Sequence, residues 1–90
     1  MIKNPFPDPA TVSVDIDNEV RQYIDSQIKN KNLKFLNIMS KIENETDLKR
    51  KEIYSYYCTN IVINTPNITD INEKNNIISG LFRHVYNVEY

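Results

Sequence analysis

The sequence contains one cysteine, one glycine, one histidine and no tryptophan among its 90 residues. Cys58 therefore has no partner for a disulfide within the chain, and His84 alone excludes a metal site built on a histidine pair. With Gly80 as its single glycine, the chain has no glycine-rich loop of the kind that binds phosphate groups. We therefore expect no metal or other cofactor, and we expect that the protein is not an enzyme.

The chain also lacks an excess of charge of one sign and has no long apolar run. The chain has 11 basic and 12 acidic residues, for a formal net charge of −1 at pH 7. Proteins that bind nucleic acid without sequence preference usually carry a strong basic excess, which this composition lacks. No apolar stretch approaches the ~20 residues of a membrane-spanning helix, and the first ten residues do not match a secretion signal. We expect a soluble, cytoplasmic protein that does not contact a membrane.

Asparagine and isoleucine are in excess, with 13 of each against four leucines and one alanine. Both residues have AT-rich codons, so the bias is typical of AT-rich genomes, such as those of viruses, phages, parasites or low-GC bacteria. A phage or viral source would favour a role as an inhibitor. A chain of this length forms one domain and buries only about 60–65% of its unfolded surface. The core is therefore thin, which leaves apolar surface for a partner or a second copy to cover.

Four stretches of the sequence repeat their apolar residues with helical spacing. They predict helices over residues 17–30, 33–44, 47–62 and 70–87. Asp70 is placed to cap the fourth helix, and Gly80 lies inside it, where a glycine permits close approach of another helix or marks a kink. The break at residues 30–32 is weak, so the first two helices are either separate or one longer helix.

The N-terminal segment differs from the rest of the chain. Pro5, Pro7 and Pro9 alternate along it, and each removes a backbone donor and favours an extended conformation in the preceding residue. We therefore expect no helix there. The predicted fold class is all-α: a small bundle of three to four helices in residues 15–90, with an extended, proline-containing N-terminal arm in residues 1–14.

An α+β fold with one short two-stranded sheet is the alternative. Residues 12–16 include alternating polar and apolar side chains, and residues 60–64 are rich in β-branched residues that favour strands. In this alternative the two segments pair with each other.

Aromatic residues are the main candidates for a binding surface. Tyr54, Tyr56 and Tyr57 lie within four positions of one predicted helix and cannot all face a single core. At least one of them is expected to be exposed or at an interface, where tyrosine is favoured. Phe6 stands between prolines in the arm. It either folds back onto its own domain or docks on a partner, since a proline-stiffened segment loses little entropy on binding.

Residues 82–86, Phe-Arg-His-Val-Tyr, followed by Val-Glu at 88–89, resemble the signature of the HEPT-like helical domains. Those are all-α proteins related to the group of ribonuclease toxins and nucleotidyltransferase partners. The resemblance implies a partial HEPT-like, ribonuclease-related domain in which Arg83, His84 and Tyr86 belong to the functional region. The family's glycine after the tyrosine is an asparagine in this chain. The competing interpretation is a helix end where Arg83 and His84 interact favourably with the helix dipole.

Basic residues between positions 29 and 51 indicate a second alternative, a nucleic-acid-associated module. The residues are Lys29, Lys31, Lys34, Lys49, Arg50 and Lys51. Phe35 and Tyr54, interleaved with them, would stack on bases. Acidic residues at positions 43–52 reduce the local positive field, so a solvated charged face is the simpler interpretation.

These features favour a small, non-enzymatic protein that binds another protein or a second copy of itself. It would act as a stoichiometric inhibitor or as a subunit of a larger assembly. The candidate partner-binding residues are Phe6, Tyr54, Tyr57, Arg83, His84, Tyr86 and Tyr90.

Overall fold

A computed structural model describes residues 3–11, 13–29, 35–64 and 70–88 of the chain. These residues form one short 3-10 helix and four α-helices, which confirms the predicted all-α fold. The helices are α1 (Val14–Lys29), α2 (Phe35–Asn44), α3 (Leu48–Asn64) and α4 (Ile71–Tyr86). Among the residues that the structure describes, no helix has both the length and the apolar character needed to cross a membrane.

The alternative fold with a short sheet is wrong. Residues 14–16 belong to α1 and residues 60–64 belong to α3, so neither segment is a strand. In α3, Val62 is completely buried. Strand preference is a weak tendency that depends on the packing of each side chain, and here packing within the helical core outweighs it.

The beginning of α1 also differs from the prediction. The helix begins at Val14 rather than near residue 17, because Ser13 caps it. The Ser13 hydroxyl accepts a hydrogen bond from the Ile16 backbone N–H at 3.4 Å, and the Ser13 carbonyl accepts one from the Asp17 N–H at 3.1 Å. Before this cap, Pro9–Thr11 form the 3-10 helix, so the arm is not extended throughout. Proline tolerates the first position of such a turn because the missing N–H has no partner there.

Helix α3 occupies the centre of the fold and contacts α1, α2 and α4. Four consecutive residues of this helix, 52–55, are buried. Successive residues point about 100° apart around a helix, so burial of four in a row means that α3 is covered on several sides. Its buried residues are Glu52, Ile53, Tyr54, Ser55, Cys58, Thr59 and Val62.

The core contains polar groups among its isoleucines. The residues of its main cluster are Phe6, Val20, Ile24, Ile38, Ile42, Ile53, Tyr54, Cys58 and Leu81. Ser55 and Thr59 are fully buried beside them, and within the described structure their hydroxyl oxygens have no hydrogen-bond partner. An unsatisfied buried hydroxyl lowers stability, so the core of this small domain is weaker than its burial alone indicates.

Both ends of α4 are capped by side chains or backbone geometry. Asp70 is the N-cap, as predicted, and its carboxylate accepts a hydrogen bond from the Asn72 backbone N–H at 2.8 Å. At the other end Asn87 adopts the left-handed conformation with φ 56°, and its N–H donates to the Arg83 carbonyl at 2.7 Å. Asparagine tolerates this conformation better than most residues, which explains why the helix ends there.

Gly80 has no packing role in α4. A methyl group added at this position would meet no atom of the described residues within 4 Å, and Gly80 is exposed. No described helix therefore approaches Gly80 closely, in contrast to the first of its two predicted roles, and the glycine weakens the helix.

We expect Gly80→Ala to raise the free energy of unfolding by about 1 kcal/mol, because alanine loses less backbone entropy in a helix. For a domain of this size the melting temperature rises by roughly 4–8 °C. Ile78→Ala is the control, since Ile78 is fully buried and its truncation lowers the free energy of unfolding by about 2–5 kcal/mol. Thermal unfolding followed by circular dichroism measures both. A Gly80→Ala chain that melts at or below the wild-type temperature would contradict this account of the glycine.

Candidate functional site

The N-terminal arm (residues 3–11) folds back onto its own domain, and Asn4 attaches it to α3. The Asn4 side-chain amide donates to the Tyr56 backbone carbonyl at 2.9 Å and to Asn60 Oδ1 at 3.0 Å. The Asn4 side-chain oxygen accepts a hydrogen bond from the Phe6 backbone N–H at 3.1 Å, which closes a local turn. Of the two positions expected for the arm, the structure shows the one in which it packs on its own helices.

Phe6 attaches the arm to α4. The side chain is 5% exposed and belongs to the core. Its ring stacks on Tyr86 with the centroids 6.1 Å apart and is tilted against Phe82 at 6.0 Å. The Phe82 and Tyr86 rings, one helical turn apart, lie 4.8 Å from each other. Each aromatic pair of this kind typically contributes about 0.5–1.5 kcal/mol beyond the burial of its surface.

An apolar groove lies open to solvent beside the Phe6 ring. It is lined by Pro5, Phe6, Pro7, Phe82, Tyr86 and Val88, and we call it the arm–α4 groove. Val88 follows the C-cap of α4 and is 54% exposed. An open apolar surface with aromatic side chains is typical of a place where another protein binds. The groove is therefore the candidate functional site.

The Tyr86 ring is fixed from the protein interior. Its hydroxyl donates a hydrogen bond to Glu52 Oε2 of α3, and Glu52 is only 7% exposed. A buried carboxylate requires such a donor, because burial without hydrogen bonds is strongly unfavourable. Burial raises the pKa of Tyr86, and the hydrogen bond and negative charge of Glu52 raise it further. Tyr86 thus forms one wall of the groove with its ring and makes a polar contact inside the domain with its hydroxyl.

Tyr57 and Tyr54 lie elsewhere and connect α3 to α1. The Tyr57 hydroxyl donates to Asp17 Oδ1 at 2.6 Å and accepts from Arg21 Nε at 2.9 Å. Tyr54 is 2% exposed and packs edge to face on Tyr23 at 5.5 Å. Burial is the main cause that raises the pKa of both hydroxyls. These two tyrosines hold the helices together and do not line the groove.

The tyrosine cluster is divided because α3 has neighbours on several sides. Tyr54 is buried, whereas Tyr56 and Tyr57 are half-buried and their rings meet at 5.5 Å. The three are therefore not all enclosed in the core, and Tyr56 and Tyr57 stay partly exposed. A role of either residue in an interface stays a prediction.

The predicted binding residues therefore separate into groups. Phe6 and Tyr86 meet at the groove, and Arg83 and His84 are exposed near the end of α4. Tyr54 and Tyr57 form the contact with α1, and Tyr90 lies outside the described residues. Sequence reasoning missed four groove residues as members of the site: Pro5, Pro7, Phe82 and Val88. The spacing of Phe82 and Tyr86 at i and i+4 was the available signal, because such residues share a helical face.

The structure describes only part of the basic region that was proposed for nucleic-acid binding. Arg50 contacts Glu19 Oε2 and Asp47 Oδ2, each at 2.6 Å, so two carboxylates compensate its charge. Lys49 is exposed and Lys51 is half-buried. Lys31 and Lys34 lie outside the described residues, as does the Lys29 side chain.

The cysteine thiol and the potential metal ligands do not form a reactive site among the described residues. Cys58 is fully buried, and burial raises the pKa of its thiol to about 12, so almost none of it is thiolate at neutral pH. Across the described ranges, no three histidine, cysteine, aspartate or glutamate residues are grouped in a way that would hold a metal ion.

Comparisons with known proteins identify no relative of this chain. No family model matches the chain, and neither a curated protein nor a solved structure matches it. The resemblance of residues 82–89 to the HEPT-like domains therefore stays a prediction. The functional argument rests on the geometry of the groove.

We expect Tyr86→Phe to lower the free energy of unfolding at neutral pH by about 1–3 kcal/mol, since Glu52 loses its hydrogen-bond donor. The pH dependence changes as well. Because the pKa of Tyr86 is raised on folding, its stabilising contribution is complete below the ordinary tyrosine pKa of about 10 and declines as the pH rises above that value. The variant should therefore lose stability less steeply above about pH 10 than the wild type.

Urea unfolding at a series of pH values measures both effects. Tyr23, Tyr54 and Tyr57 are present in both chains, so their titration is common to the two curves. Parallel curves across the alkaline range would show that the Tyr86 hydroxyl is not buried against Glu52.

Proposed function

We propose that the protein acts by stoichiometric binding of another protein through the arm–α4 groove, as an inhibitor or as a subunit of a larger assembly. The observation that supports this most is the groove itself. It places the exposed Val88 beside three aromatic rings and two prolines, on a surface that the described residues leave open. Aromatic side chains are enriched in the centres of protein interfaces, because they bury a large area while losing few rotamers.

The aromatic side chains of the groove are held in place before any partner binds, which favours binding. Phe6 packs against Phe82 and Tyr86, and the Tyr86 hydroxyl is bonded to Glu52. Rings that are already ordered lose little conformational entropy when a partner covers them. Val88 supplies further apolar area at the open edge.

A polar residue adjoins the groove side of α4 and fits the rim of an interface. Arg83 is exposed and follows Phe82 directly, whereas His84 lies two residues from both Phe82 and Tyr86 and therefore faces away from them. A polar rim around an apolar centre is the common arrangement in protein interfaces.

The test compares Val88→Asp with Ile71→Asp. Both residues are 54% exposed, but Val88 lines the groove whereas Ile71 lies at the opposite end of α4. Tagged wild-type and variant chains are used to capture partners from cells that express the protein. We expect Val88→Asp to remove the captured partner and Ile71→Asp to retain it, because an unpaired carboxylate in an apolar contact is unfavourable.

Circular dichroism verifies that both variants are folded before capture. A partner retained equally by Val88→Asp and wild type would contradict the proposed surface. If the captured partner is a second copy of the chain, the wild type has a concentration-dependent mass in solution and the Val88→Asp chain does not.

A further inference from the structure

The arm is held to the helices by a short linear segment, residues 4–7. Asn4 supplies an amide to the Tyr56 carbonyl and the Asn60 side chain, and Phe6 supplies a ring to Phe82 and Tyr86. A separate segment with the same groups in the same order and the same local turn has the groups needed for these contacts. The chain's own arm thus shows which chemistry fits this place on α3 and α4.

We propose that the arm is a displaceable internal ligand, and that the partner binds by inserting a segment of the same kind in its place. The segment carries an aromatic ring two residues after a side-chain amide, with a proline on each side of the ring. This inference rests on the proposed function and states the chemistry of the partner: the α4 wall of the groove, Phe82, Tyr86 and Val88, is kept, and the partner's segment replaces the wall formed by the arm. The asparagine–proline–phenylalanine–proline order of residues 4–7 is the pattern from which that chemistry is derived.

The main contacts between the helices are made without the arm. The principal helix pairs in contact are α1 with α3, α2 with α3, and α3 with α4, and residues 4–7 belong to none of these helices, although the Phe6 ring adds to their core. The Tyr86 hydroxyl remains bonded to Glu52 from the interior, so one wall of the site keeps its orientation without the arm. A site that is ordered before binding favours exchange of one segment for another.

An incoming segment must compete with an arm that is covalently attached. Attachment gives the arm an effective concentration on the order of millimolar, so a segment with identical contacts binds the intact chain weakly. The groove offers contacts that the arm does not use, because it extends beside Phe6 to the exposed Val88. A partner segment that also covers Val88 therefore has an advantage over the arm.

The experiment uses the full chain and a fluorescent synthetic peptide, Lys-Asn-Pro-Phe-Pro-Asp-Pro, which copies residues 3–9. We expect the Phe6→Ala chain to bind this peptide at least ~10-fold more tightly than the wild type, because its own arm no longer competes. A peptide with alanine in place of phenylalanine should bind neither chain. Asn4→Ala is the second variant. It removes the Asn4 hydrogen bonds to α3 and to the Phe6 backbone N–H from a half-buried position but keeps the Phe6 ring, and it should bind the peptide with intermediate affinity.

Circular dichroism shows whether each variant is folded. If the Phe6→Ala chain is unfolded, peptide binding by the Asn4→Ala chain tests the proposal instead. Folded variants that bind the phenylalanine peptide no more tightly than the wild type would overturn the proposal, as would equal binding of the alanine peptide. No partner takes part in this experiment. The Val88→Asp capture result can therefore fail while displacement holds, or hold while displacement fails.

Discussion

The fold depends on the burial of α3 by every other element around it. Helices α1, α2 and α4 contact it, and the arm closes a further side through Asn4 and Phe6. A helix covered in this way is normally apolar all round. Here it buries a carboxylate and two hydroxyls as well, at Glu52, Ser55 and Thr59. The core therefore contributes less to the free energy of folding than that of a purely apolar helix would, and the Phe6 ring adds to it.

One series of contacts links this core to the surface. Glu52 receives the hydrogen bond of Tyr86, the Tyr86 ring stacks on Phe6, and Phe6 lines the arm–α4 groove. The same aromatic residues thus stabilise the domain and form the wall of the groove. Substitutions of Phe6 or Tyr86 affect stability and binding together, whereas Val88 is exposed and separates the two effects.

The four α-helices, and the difference between the arm and the rest of the chain, could be predicted from the sequence. Apolar residues at helical spacing and alternating prolines act on the local backbone, so both signals can be read without the tertiary structure. The burial of α3 could not, since Glu52, Ser55 and Thr59 are residues that usually lie at a surface. Tyr54 and Tyr57 were assigned to binding because nothing in the sequence shows that α1 faces them. Only some of the groove residues were predicted from the sequence. The groove forms because the arm packs back on the helices, and no local sequence pattern indicates that tertiary contact. The function and partner stay proposals.

The most direct test of the account is a nuclear Overhauser experiment on the full chain with labelled aromatic residues. The central claim is that the Phe6 ring packs on Phe82 and Tyr86, with centroids about 6 Å from each. The account predicts strong cross-peaks from the Phe6 ring to both residues and protection of the Phe6 amide hydrogen. Random-coil shifts for residues 4–7 and an absence of these cross-peaks would contradict it, because the arm would then lie away from the helices and the groove would not exist.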